Sequence, residues 1–161
     1  MKTPSAFRRQ CCAFLTSLLA GLAAAQLSES PLEIKLIAEV ESASSPRKLV
    51  SADRVVPGDR VIYTLEIRNA APTAMDAPSV TYPIPEHMRY IADSAVGPGA
   101  AVSYSIDGGR SFERAENLKV RTPEGRLRPA AAADYTDIRW QIKNSLRPNS
   151  VAYVRFRALV K

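Results

Sequence analysis

The chain has 161 residues, of which 24% are charged and 46% apolar, and a formal net charge of +6. That length accommodates one ordinary domain with its own core. One histidine and two cysteines exclude the cysteine-dense scaffolds of small disulfide proteins and leave little material for a zinc site.

The N-terminus reads as a secretory signal. Lys2, Arg8 and Arg9 form a positive start, Cys11 to Leu22 an apolar run, and Ala23-Ala24-Ala25 the small residues a signal peptidase accepts. Cleavage is expected after Ala25, and the run is shorter than the roughly 20 residues a bilayer span requires. A lipidation cysteine follows the apolar run, whereas Cys11 and Cys12 begin it, so both leave with the signal. The expected mature chain, residues 26–161, is a single cysteine-free domain without a disulfide or a Cys-ligated metal. The first 25 residues carry three of the 22 Lys and Arg and none of the 16 Asp and Glu. The mature net charge therefore falls to +3, which weakens the case for a nucleic-acid or membrane partner. The expected location is the periplasm or the cell surface, with no transmembrane segment after cleavage.

From residue 32 the pattern is that of strands separated by turns. Leu32, Ile34, Leu36, Ala38 and Val40 alternate with Glu33, Lys35, Glu39 and Glu41, one dry face against one wet face. Ser42 to Pro46 is a polar loop. Val56-Pro57-Gly58-Asp59 is a turn in which Pro57 presets φ and Gly58 supplies a positive φ. Val61, Tyr63, Leu65 and Ile67 then alternate with Arg60, Thr64, Glu66 and Arg68, a strand ended by Asn69 to Pro72. Val80 and Tyr82 mark a shorter strand stopped by Pro83 and Pro85, and Met88 to Ile91 another.

After the Gly97-Pro98-Gly99 break, Val102, Tyr104 and Ile106 lead into Asp107-Gly108-Gly109 and Phe112, a hairpin signal. Leu118 and Val120 suggest a further short strand, and Pro123 to Asp134 reads as a loop. Ile138, Trp140 and Ile142 alternate with Arg139, Gln141 and Lys143. Pro148-Asn149 is a turn, and Val154, Phe156, Ala158 and Val160 alternate with Arg155 and Arg157. Seven to nine short strands without a long helical pattern predict an all-β, immunoglobulin-like antiparallel β-sandwich closed over Trp140, with a closed barrel as the alternative.

Three segments carry a family resemblance. The stretch from Val56 to Asn69, Pro83-Ile84-Pro85 followed by Met88-Arg89-Tyr90, and Trp140 followed by Leu146-Arg147-Pro148-Asn149-Ser150 and the last strand occur once each, in this order. Together they resemble the bacterial conserved-repeat domain of unknown function (the DUF eleven type), over roughly residues 47 to 161. The resemblance implies an immunoglobulin-like fold and a place among bacterial surface proteins. Tyr82 stands where that family usually has Asp, and Asn149 where it has Gly; Asn tolerates a left-handed φ. Ser105-Ile106-Asp107-Gly108-Gly109-Arg110-Ser111-Phe112 is also similar to an Asp-box hairpin. In that motif the Asp bonds the backbone of the turn and the last aromatic packs inward.

Catalytic readings find little support. His87 sits in a Pro-Glu-His-Met turn without a nucleophile motif nearby. Asp134-Tyr135-Thr136-Asp137 offers two carboxylates where Ca²⁺ takes six to eight oxygens, and reads better as a turn before the Trp140 strand. Glu113 and Glu116 read as solvated. No cofactor or metal is expected. The binding candidates are Arg139, Lys143, Arg155 and Arg157, all on outward strand faces; if the last two strands are neighbours they form one cationic patch. Such a face fits another envelope protein or an anionic glycan. The expected function is therefore a non-catalytic envelope module that binds a partner, or else a structural or accessory subunit of a surface assembly. A small hydrolase is the third reading. Structural roles fall to Trp140, Asp107, Gly108, Gly109, Pro57, Gly58 and Asn69.

Overall fold

Alternating apolar side chains bury only if a second surface covers the dry face, and here two antiparallel sheets do this for each other. The computed structural model describes residues 31–41, 49–52 and 54–161; the expected signal segment and the Ser42 to Pro46 loop lie outside them. The described residues contain ten strands and no α-helix. At the centre of the larger sheet is β3 (Arg60–Asn69), flanked by β1 (Leu32–Glu41) and β10 (Val151–Val160). Short strands β2 (Leu49–Ser51) and β5 (Met88–Tyr90) complete the order β2-β1-β3-β10-β5. The smaller sheet has the order β4 (Ser79–Pro83), β9 (Asp137–Ile142) and β6 (Ala100–Ser105).

Two of these strands depart from the sequence reading. β2 was not expected, and the loop predicted from Pro123 to Asp134 contains β8 (Leu127–Pro129), which pairs with β7 (Lys119–Arg121) as a separate hairpin. Neither has a period-2 apolar row long enough to announce it: β2 is held by pairing with the end of β1, and β8 by pairing with β7. The expected hairpin after Tyr104 returns as a single bridge to Glu113, with Ile106 in the turn and not in the strand.

Trp140 and Phe156 meet across the sheets, both fully buried, with ring centroids 6.1 Å apart. Tyr63 stacks on Phe156 at 4.9 Å and Tyr104 on Tyr135 at 4.4 Å. Where the tyrosine hydroxyls enter this interior they satisfy one another: the Tyr90 and Tyr104 hydroxyls lie 3.0 Å apart, and Tyr90 Oη accepts from the Ala95 amide. Burial, followed by the bond to Tyr90, pushes the Tyr104 phenol well above its ordinary pKa. Trp140 Nε1 is buried without a hydrogen-bond partner, so the indole is held by packing alone. Gly97 sits against it. A Cβ there would stand 2.7 Å from Val154 Cγ1 and 3.4 Å from Trp140 Cδ1.

The ring contacts also set the sheets' alignment. Tyr82 of β4 lies 6.2 Å from Tyr63 of β3, Trp140 of β9 over Phe156 of β10, and Tyr104 of β6 5.6 Å from Tyr90 of β5. The three-stranded sheet thus covers β3, β10 and β5, and β1 extends past its edge. The consequence is visible along one row. Leu65 and Ile67 on β3 are 1% and 0% exposed, while their cross-strand partners Leu36 and Ile34 on β1 are 43% and 50% exposed. The expectation of a dry β1 face holds at Val40 and fails at Ile34 and Leu36, because no strand of the smaller sheet reaches over them.

The end of β3 is fastened by Asn69, which is fully buried. Its Nδ2 donates to the Thr73 and Leu146 carbonyls at 2.9 and 2.8 Å, and its Oδ1 accepts from the Ala71 amide. One side chain thereby ties β3, the following turn and the β9–β10 connection together. Asn69→Ala removes the bonds to the Thr73 carbonyl and the Ala71 amide and one of the two bonds to the Leu146 carbonyl, which keeps the Met75 amide, and is expected to lower unfolding free energy by about 2 kcal/mol. Gly97→Ala is expected to cost about 1–3 kcal/mol through overpacking against Val154. Urea unfolding followed by Trp140 fluorescence measures both, and wild-type midpoints would refute these roles.

Candidate interaction surfaces

Asp107 organises the loop that the sequence marks as an Asp-box. Its Oδ1 accepts from the amides of Arg110 and Ser111 at 3.1 and 2.9 Å, and Ser111 Oγ donates to its Oδ2 at 2.6 Å. Ser105 Oγ donates to the same carboxylate at 2.7 Å and accepts from the amides of Asp107 and Gly109. Gly108 and Gly109 both have positive φ (72° and 80°), and the Gly108 amide reaches Thr136 Oγ1. Every donor to the carboxylate is one of the loop's own backbone amides or hydroxyls, so this carboxylate is a turn fastener. Phe112 does not pack inward as the motif suggests. It lies on the outer face of the smaller sheet, with Arg139 Cζ 3.6 Å from its ring centre.

The Pro57-Gly58 turn is equally structural. Gly58 has φ +96°, the Asp59 amide bonds the Val56 carbonyl, and Asp59 Oδ2 accepts from the Val56 amide. Gly58 and Asp59 further exchange bonds with Val160 at the end of β10. Asn149 takes the left-handed conformation, φ +60°, in the turn before β10.

The single cationic patch does not form. β9 and β10 belong to different sheets and turn their polar sides in opposite directions, so Arg139 and Lys143 are on one outer face and Arg155 and Arg157 on the other. Arg139 is also occupied, stacking on Phe112 and donating from Nε to Thr81 Oγ1 at 3.1 Å. Lys143 is exposed just past β9, its amide bonded to the Gly99 carbonyl.

Arg155 and Arg157 keep a common face. Their neighbours on β3 are Thr64 and Ile62, and among the described residues neither arginine forms an ion pair. Further along β10, Tyr153 and Val151 are 48% and 39% exposed on the same side. On the other flank the chain after β5 follows β10, with Val96 and Arg155 exchanging two backbone bonds of 2.9 Å. The result is a stripe of Val151, Tyr153, Arg155 and Arg157 with exposed Val96 alongside. Its apolar half could have been read from Val151 and Tyr153, which share the parity of Arg155 and Arg157.

The groups offered for catalysis are dispersed or committed. His87 is exposed in the turn between β4 and β5. The open groove beside that turn is lined by Pro85, Met88, Arg89, Tyr135, Asp137 and Lys161, among others, but by neither His87 nor a serine. Asp134 receives Arg128 at 2.6 and 2.8 Å and the Ala131 amide at 2.7 Å; the Arg128 bonds hold its carboxyl below the usual range. Glu113 and Glu116 are exposed, the latter 3.5 Å from Arg114.

No family model, no curated protein and no solved structure matches this chain. The resemblance to the conserved-repeat domain therefore stands on the three segments quoted above.

The bonds from Ser111 and Ser105 hold the Asp107 carboxyl far below the ordinary carboxylate range. A folded-state value below the unfolded one, about 3.9, stabilises fully above that pH and is lost as pH falls toward the folded value. Asp107→Asn is expected to lower the thermal midpoint at neutral pH, with the gap to wild type narrowing below roughly pH 4. A gap independent of pH would show that the ionised carboxylate is not the fastener.

Proposed function

We propose that this chain is an exported, non-catalytic recognition module of the bacterial cell envelope, immunoglobulin-like in kind, which binds another envelope protein through the outer face of β10. The observation that carries this reading is the Val151–Tyr153–Arg155–Arg157 stripe. Tyrosine and arginine are the residues over-represented where protein interfaces concentrate their binding energy, because both offer large contact area with a polar end. Two guanidinium groups without an ion pair among the described residues, beside exposed apolar side chains, fit a partner carrying carboxylates around an apolar centre.

The non-catalytic part rests on what the perturbed groups are doing. Shifted pKa values tend to gather at working sites. Here Asp107 fastens a loop, Asp134 fastens Arg128, and Tyr104 fills the core. Export rests on the order of charged, apolar and small residues before Gln26.

Arg155→Glu combined with Arg157→Glu tests the surface. Affinity capture from detergent-extracted envelopes, with partners identified by mass spectrometry, is expected to yield a protein that salt releases and that the double variant fails to retain. Retention unaffected by both charge reversal and salt would sink the assignment. Loss through added anionic glycan would move it from a protein to a carbohydrate partner.

A further inference from the structure

We infer that the outer edge of β4 takes up one extended peptide segment of another protein, whose apolar side chains settle on Ile34 and Leu36. This goes beyond the β10 reading and does not depend on it. β4 borders the smaller sheet and pairs with β9 alone. Two bonds fix which of its backbone groups face β9: the Ile142 amide donates to the Pro78 carbonyl, and the Ile84 amide to the Thr136 carbonyl. In an antiparallel ladder that direction alternates. Val80 and Tyr82 therefore bond β9, while Ser79 and Thr81 turn their N–H and C=O groups outward. Both residues are exposed, and among the described residues no other strand or loop bonds these four groups. Such an edge is a template for an added strand.

An added strand would land on a shelf. Tyr82 lies 6.2 Å from Tyr63, which sets β4 over β3, and the next strand outward in the larger sheet is β1. Strands within a sheet are about 4.8 Å apart, so one strand beyond β4 comes to lie over β1. The level matches as well. Asn69 at the end of β3 bonds the Leu146 carbonyl, Leu146 bridges to Met75, and β4 starts at Ser79. Ser79 and Thr81 thus stand near the Leu65–Ile67 end of β3, whose cross-strand partners are Leu36 and Ile34, 43% and 50% exposed. The contact uses these two side chains and none of β1's backbone groups.

The same geometry selects the occupant. Outward N–H and C=O groups on alternate residues require an extended main chain, and an apolar row of period 2 requires apolar side chains at alternate positions. Another sandwich cannot dock edge to edge here. Paired antiparallel, β4 of a second copy would bring its own β3 onto the position that β1 fills. Nor does the chain outside the described residues supply the pattern. Residues 26–30 and 42–48 lack an apolar row, and Cys11 to Leu22 lacks the alternating polar one.

Selection from a phage-displayed library of random dodecapeptides, against the protein as purified from cells, tests the proposal. Enriched peptides are expected to carry apolar residues at alternate positions and, once bound, to slow hydrogen exchange at the Ser79 and Thr81 amides. Thr81→Pro removes an outward N–H and no bond to β9. It is expected to weaken the selected peptide roughly tenfold or more, and Leu36→Glu to do the same. Thr81→Val loses the hydroxyl that Arg139 bonds but keeps the amide, and is expected to bind as wild type does. Arg155→Glu with Arg157→Glu is expected to leave peptide binding unchanged, which separates this edge from the β10 face. Circular dichroism confirms that each variant is folded. No enriched peptide, enrichment without alternation, binding that survives Thr81→Pro, or amides that stay in fast exchange would overturn it.

Discussion

Two sheets of unequal width share one core, and the tilted contact of Trp140 with Phe156 decides how they are aligned. With β9 seated over β10, β4 falls on β3 and β6 on β5. Among the described residues, no strand of the smaller sheet then lies over Ile34 and Leu36 of β1. The same alignment produces the dry interior and the exposed Ile34–Leu36 row, so both are results of one geometric constraint. Interior packing tolerates little slack, and Gly97 marks where the chain has dispensed with a side chain to let Trp140 and Val154 come together.

The ends of the sandwich are held by side chains that bond backbone. Asn69 closes one end with three bonds from a buried amide, Asp107 and Ser105 fold the 105–111 loop on themselves, and the Pro57-Gly58 turn is tied to the last residues of β10. Short polar side chains suit this work because they reach their own neighbourhood without leaving the chain. Since these groups are satisfied internally, the residues with capacity to meet a partner are those on outer faces and bare edges.

Among the described residues the exposed apolar side chains of the larger sheet fall into two groups, one on each side of it. The β10 stripe lies wholly on its solvent side. The β1 edge has an apolar row on the core-facing side and the Glu33–Lys35 pair on the solvent side.

Much of the fold was legible in the order of residues. Period-2 alternation located β1, β3, β9 and β10. Pro57-Gly58, Asp107-Gly108-Gly109 and Asn149 identified turns whose positive φ values the structure bears out. Trp140 was recognisable as the core anchor. These features depend on neighbours a few residues away, where backbone sterics and side-chain reach are decided locally. Which strand lies beside which is decided by contacts between residues far apart in the chain. Arg139 and Arg155 could therefore be read as outward but not as belonging to opposite faces, and Ile34 and Leu36 could be read as apolar but not as uncovered. Alternation says which way a side chain points; only the packed sheets determine whether anything lies there to meet it.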